Sequence, residues 1–119
     1  MLQQDYIMRQ IRNLIRFIAK VLLKKDSVEY ILDEKEEYKK VDLIHKRLLE
    51  LIELGKLNEA EDLLFAEFDA SNLKYLELAL DFYARLNDLD DEFLEEKDFS
   101  REEIKEGLRD IGKIFGIMI

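Results

Sequence analysis

The sequence predicts an all-α fold, and three observations carry that reading. Proline is absent and only four glycines occur in 119 residues, so little interrupts a helical hydrogen-bond ladder. The chain is rich in leucine, glutamate and lysine, which keep most of their side-chain freedom in a helix. Apolar residues also recur at spacings of three and four, and no alternating β-branched run is long enough for a strand. The length suits one domain with its own core. We therefore expect a single helical domain over 1–119, built from five or six antiparallel helices as stacked hairpins or an irregular bundle.

The first helix is expected over about residues 3–23. At roughly 100° per residue, Ile7, Ile11, Leu14, Ile15, Ile18 and Leu22 share one face, and Arg9, Arg12, Arg16, Lys20 and Lys24 lie opposite. Asp26 or Ser27 then offers a cap for a new helix, with Glu29 as its partner. The stretch 28–40 is less distinct, and its strongly charged part, 33–40, reads as either an exposed helical turn or a loop. From Tyr38 onward Val41, Ile44, Leu48, Leu51 and Ile52 form a stripe that stops at Gly55, a residue suited to a left-handed helix end. Asn58 is expected to cap the following helix with Glu61, directing Leu63, Leu64 and Phe68 inward. Small Ala60 would let the two helices approach closely. Ser71 is the expected cap of a helix over about 72–87, carrying Leu73, Leu76, Ala79, Leu80, Tyr83 and Ala84. After the acidic stretch 88–98, Ser100 and Glu103 spell a capping box for a last helix over about 100–117. Phe99 and Ile104 occupy its staple positions.

The segment "LIELGKLNEAEDLL" resembles a degenerate tetratricopeptide hairpin over about 38–69. Gly55 stands at the inter-helix turn, Ala60 at a small position five residues on, and Leu64 at the next large apolar one. Leu48, Glu67 and Asn72 depart from that family's small residue, second alanine and closing proline. A faint 32-residue offset pairs Leu54 with Leu86 and Leu57 with Leu89. Separately, "QQDYIMRQIRNLIRFIAKVLLKKD" is similar to the opening of a small uncharacterised bacterial family of helical proteins. That resemblance implies a bacterial helical protein and assigns no functional residues.

Charge narrows the function classes. The net charge is −9, yet residues 1–25 hold six basic side chains and one acidic, and the remainder carries a net −14. So acidic a body argues against nucleic acid as a partner. Without cysteine there are no disulfides or thiolate metal sites. No window is apolar enough to span a membrane and charges interrupt the first apolar residues, so a cytoplasmic protein with no integral membrane segment is expected.

Catalytic and metal sites are not expected, and no cofactor is. His45 is the single histidine, and three residues from Asp42 it reads as a boundary side chain sharing a hydrogen bond. A di-metal bundle would need a second histidine. A calcium loop started at Asp88 fails at Phe93, where glycine should stand, and at Phe99, where a bidentate glutamate should. What is left is a non-enzymatic protein–protein interaction module binding a protein or peptide. Its candidate partner-binding residues are Arg9, Arg12, Arg16 and Lys20. Gly112, Phe115, Gly116 and Met118 are the candidate homodimer contact, with Gly112 and Gly116 read as a small-residue pair for close packing against the first helix. The alternative is a peripheral binder of anionic membrane surfaces through the basic first helix.

Overall fold

A computed structural model describes residues 2–24, 30–32 and 39–117. Among the described residues every regular element is helical: α1 (Leu2–Ile18), α2 (Lys39–Glu53), α3 (Leu57–Glu67), α4 (Leu73–Asn87), α5 (Asp91–Glu96) and α6 (Arg101–Ile114). The anticipated caps Asp26 and Ser27 with Glu29, as well as Tyr38 and Met118, lie outside the described residues. A π-helical turn, Ala19–Leu23, prolongs α1 and ends at Lys24 in the left-handed conformation, whose N–H returns to the Ala19 carbonyl.

Three further helices end with a left-handed residue that turns the chain back onto the last free carbonyls. After α2, Gly55 (φ +76°) donates to the Ile52 carbonyl at 2.9 Å and Lys56 to Leu51 at 2.8 Å. A side chain at Gly55 would also meet Lys97, since an added Cβ would sit 2.6 Å from its Cε. After α6, Gly116 (φ +79°) and Ile117 make the same pair of bonds to Lys113 and Gly112. After α5 the left-handed residue is Asp98 (φ +55°), and Phe99 closes onto Leu94.

Helix starts agree with expectation at α6 and differ elsewhere. Ser100 Oγ accepts from the Glu103 N–H at 3.2 Å and the Glu103 carboxylate accepts from the Ser100 N–H at 2.6 Å, so the capping box is complete. α3 begins at Leu57, one residue before its expected cap. Asn58 is therefore inside the first turn and donates instead to the Asp98 carbonyl at 3.3 Å. Burial of Leu57 decides this start, because no side chain caps the helix. Ser71 is taken up by Asp69, which accepts both its N–H and its hydroxyl, and the cap of α4 falls to Asn72. The acidic stretch after α4 forms α5. At six residues against eleven in α3, it does not reproduce the first hairpin.

α4 is the central element, with α1, α2 and α6 packed around it, α1 also on α6 and α2 on α3. Residues Tyr75 through Tyr83 are all buried, as a helix surrounded on every side requires. Ile7, Ile11, Ile15 and Ile18 of α1 enter this core as their stripe predicts, and Leu14 and Leu22 pack at its edge. Each such side chain contributes about 2 kcal/mol by leaving water. Ala60 is fully buried in α3, and Leu48, Leu51 and Leu64 complete the hairpin core. Leu73, expected inside, is half exposed. Arg101 of α6 is buried: it pairs with Asp91 and donates to the carbonyls of Asn87 and Leu89, tying the end of α4 to α5 and α6.

Candidate functional site

α4 carries Lys74, Glu77, Asp81 and Arg85 at helical spacing, so these four share a face. In sequence that pattern reads as a solvated, salt-bridged surface. Here it is covered, and Glu77 and Asp81 are both buried. What they meet is residues 30–32. The Asp81 carboxylate accepts from the Tyr30 N–H at 3.3 Å, and Glu77 accepts from the Ile31 N–H at 2.9 Å. Lys74 donates to the Ile31 carbonyl, pairs with Glu77, and lies over the Tyr30 ring. Carboxylates thus replace the missing backbone partners of an irregular segment.

α2 supplies the other side of the network. His45 Nε2 donates to Asp81 Oδ2 over 3.2 Å, and the ring stacks on Tyr30 with centroids 4.3 Å apart. The Tyr30 hydroxyl donates to Asp42 at 2.5 Å, and Arg85 Nε donates to Asp81 at 2.7 Å. The histidine therefore does share a hydrogen bond, but with α4 and not with Asp42. Burial alone would raise the Asp81 carboxyl; hydrogen bonds from His45, Arg85 and the Tyr30 backbone outweigh it and hold the carboxyl below its ordinary range. Burial, then the Asp42 hydrogen bond and charge, push the Tyr30 phenol far up, so it stays a donor.

Leu32, which follows the clamped Tyr30 and Ile31, lines a groove along α2 of about 510 Å³ together with Lys39, Asp42, Leu43, His45, Lys46 and Leu49. Leu32 is 68% exposed and Leu43 67%, and neighbouring Ile31 is also exposed. These groove residues are what the sequence reading missed. An isolated exposed leucine on an otherwise regular stripe is the signal Leu43 offers.

Arg9, Arg12, Arg16 and Lys20 lie together on the exposed side of α1, beside exposed Tyr6, Phe17 and Val21. None of those four forms an ion pair among the described residues. Of the candidate dimer residues, Gly112, Phe115 and Gly116 are described and differ in their surroundings. Gly112 is buried within α6, whereas Phe115 is half-buried edge-on to Phe68 of the same chain, with centroids 6.2 Å apart. Gly116 is exposed past the helix end, where an added Cβ would meet nothing within 4 Å, so it closes the helix and does not pack with Gly112.

A second cluster lies between α3 and α6, where Glu61, Asp62, Glu103, Glu106 and Asp110 surround Gly107. The Tyr83 hydroxyl donates to Glu61 at 2.6 Å. Burial raises the Glu61 carboxyl despite this hydrogen bond, and the charges of Glu103, Asp62 and Asp110 raise it further.

No helix among the described residues is long and apolar enough to cross a membrane. Neither a curated protein nor a solved structure matches the chain. One family model does, over residues 1–116, described as a family of unknown function, DUF6483.

Proposed function

We propose, from the premise that the chain belongs to the DUF6483 family of unknown function, that it is a non-enzymatic interaction module whose α2 groove receives a helical segment of a partner protein. The observation that supports this reading is the pair of leucines, Leu32 and Leu43, two-thirds exposed in the lining of an apolar groove. Large apolar side chains held in water are offset when a partner covers them. The hydrogen-bonded network behind Tyr30 and Ile31 supports the reading further, because a groove lining that adjoins a fixed segment loses little entropy on binding. The only regular elements among the described residues are helices, so strand addition has no sheet edge among them, and an elongated apolar groove suits helix-in-groove docking. The α2–α3 hairpin, with its Gly55 turn and buried Ala60, fits a tetratricopeptide-like unit. A bacterial, cytoplasmic setting belongs to the same proposal.

The test is a photo-cross-linking residue placed at position 43 in cells, with position 73, another exposed leucine, as the apolar control. A defined protein adduct at 43 and not at 73 supports docking on α2. Equal adducts at both, or none at 43, refute it.

The basic face of α1 favours a second reading, adsorption to an anionic membrane surface, because Phe17 and Val21 stand exposed beside Arg16 and Lys20. The isoleucine face of that helix is buried, so contact would rest on charge and these two side chains. Co-sedimentation with phosphatidylserine vesicles at low salt, lost in Arg12→Glu/Arg16→Glu, supports it. No sedimentation of the parent protein removes it.

A further inference from the structure

We infer that the segment the α2 groove accepts is an acidic amphipathic helix, one whose apolar side chains meet Leu32, Leu43 and Leu49 and whose carboxylates meet the cations around Leu43. This inference rests on the docking reading above and names the partner's chemistry. On a helix, residues three and four positions away surround a given side chain. For Leu43 those positions are Lys39, Lys40, Lys46 and Arg47, four cations around one exposed leucine. In a chain of net charge −9 this arrangement opposes the general character of the surface.

Among the described residues, carboxylates do not hold Lys40, Lys46 and Arg47 tightly. Asp42 is engaged by the Tyr30 hydroxyl. Lys40 reaches Glu67 at 3.4 Å and Arg47 reaches Glu50 at 3.5 Å, but each of these pairs is solvent-exposed. Exposed pairs of this kind contribute under about 1 kcal/mol and exchange readily for a better partner. Lys46 is exposed and makes no ion pair among the described residues.

Length agrees with a helical occupant. From Lys39 to Leu49 the groove runs along ten helical steps, about 15 Å, which is nearly three turns. A helix laid alongside can place three apolar anchors at spacings of three and four over that distance. Its flanking glutamates then face the lysines, while residues 48–119, with eight basic and twenty acidic side chains, repel it from that part of the chain.

The experiment is fluorescence anisotropy with a labelled, helix-stabilised peptide of leucine anchors flanked by glutamate, compared with the same peptide carrying lysine in place of each glutamate. The expected result is that the acidic peptide binds at least tenfold tighter than the basic one. Lys46→Glu should weaken it about fivefold, and Leu43→Glu at least thirtyfold, as loss of a central anchor does. Circular dichroism of both variants, each at an exposed position, verifies that they remain folded. Equal binding of the two peptides, abolished by Leu43→Glu, overturns the charge inference and leaves docking intact. Binding of the acidic peptide that ignores Leu43→Glu and is lost in Arg12→Glu/Arg16→Glu places the contact on α1 and overturns the inference. Binding of neither peptide overturns it as well, and the cross-link at position 43 then decides the docking reading by itself.

Discussion

Replacing Gly107 by alanine should destabilise the protein, against the usual direction for a helix interior. Alanine there ordinarily gains about 1 kcal/mol over glycine. Gly107 is buried in α6 facing α4, where an added Cβ would lie 2.1 Å from the Tyr83 hydroxyl oxygen and 2.4 Å from the ring carbon that bears it. The ring must retreat by more than 1 Å to restore ordinary contact distance (about 3.5 Å). Tyr83 is fully buried, so there is no room to take up that shift freely. Overpacking of this kind costs about 1–3 kcal/mol. Moving the hydroxyl also breaks its 2.6 Å bond to Glu61, worth about 1.5–3 kcal/mol for a charged acceptor. After the propensity gain, a net loss of about 1.5–5 kcal/mol remains. With an unfolding entropy near 2.1 cal/mol/K per residue, 119 residues give about 0.25 kcal/mol/K. The melting temperature should then fall by about 6–20 °C in a thermal scan followed by circular dichroism at 222 nm. Tyr83→Phe should cost less in the Gly107→Ala background than in the parent, a coupling of about 1–2 kcal/mol. A Gly107→Ala melting temperature equal to or above the parent's would refute the contact on which this rests.

Two further outcomes follow from the polar clusters. Asp81→Ala leaves His45 and the Tyr30 N–H without their acceptor and should cost about 3 kcal/mol, or about 12 °C. Because folding lowers the Asp81 pKa, its stabilisation is present above the ordinary aspartate value of about 3.9 and is lost as pH falls through the lower folded value. The gap between parent and variant in urea unfolding should therefore narrow on acidification past that value, and a gap independent of pH would contradict the assignment. Glu61 behaves oppositely: its folded pKa is raised, so the folded state favours the protonated acid and loses stability as pH rises through the folded value. Glu61→Gln should be at least as stable as the parent at pH 7, with the difference closing toward about pH 4.3, the ordinary glutamate value. A variant less stable than the parent at pH 7 would show that the charge on Glu61 is favourable.

The helices could be read from sequence because each rests on a pattern within its own few turns, and the best-placed start, Ser100 with Glu103, has both partners three residues apart. Where two local bonds compete, the reading failed: Asp69 captures Ser71, and Asn72 caps α4 in its place. Gly116 was legible as a glycine but not as a helix end, since whether it packs or turns depends on where α6 stops. The groove was out of reach for a different reason. Glu77 and Asp81 have the spacing of an outer face, and their partners are the backbone of Ile31 and Tyr30, 46 and 51 residues away. No window of neighbouring residues contains that information. His45 illustrates the same limit, since its hydrogen bond was anticipated but its acceptor comes from another helix.

The pairing of α1 with α6 has a consequence for how the protein is made. At about 5–20 residues per second, several seconds separate the release of Ile7, Ile11, Ile15 and Ile18 from that of Ile104, Leu108 and Ile111. Throughout that interval the nascent chain carries an oily ridge whose final cover has not yet been synthesised, while α2 and α3 are free to collapse on each other early. A slow stretch of translation before α6 would lengthen this exposure, making the early ridge the natural target of a chaperone and the place where premature termination does most harm.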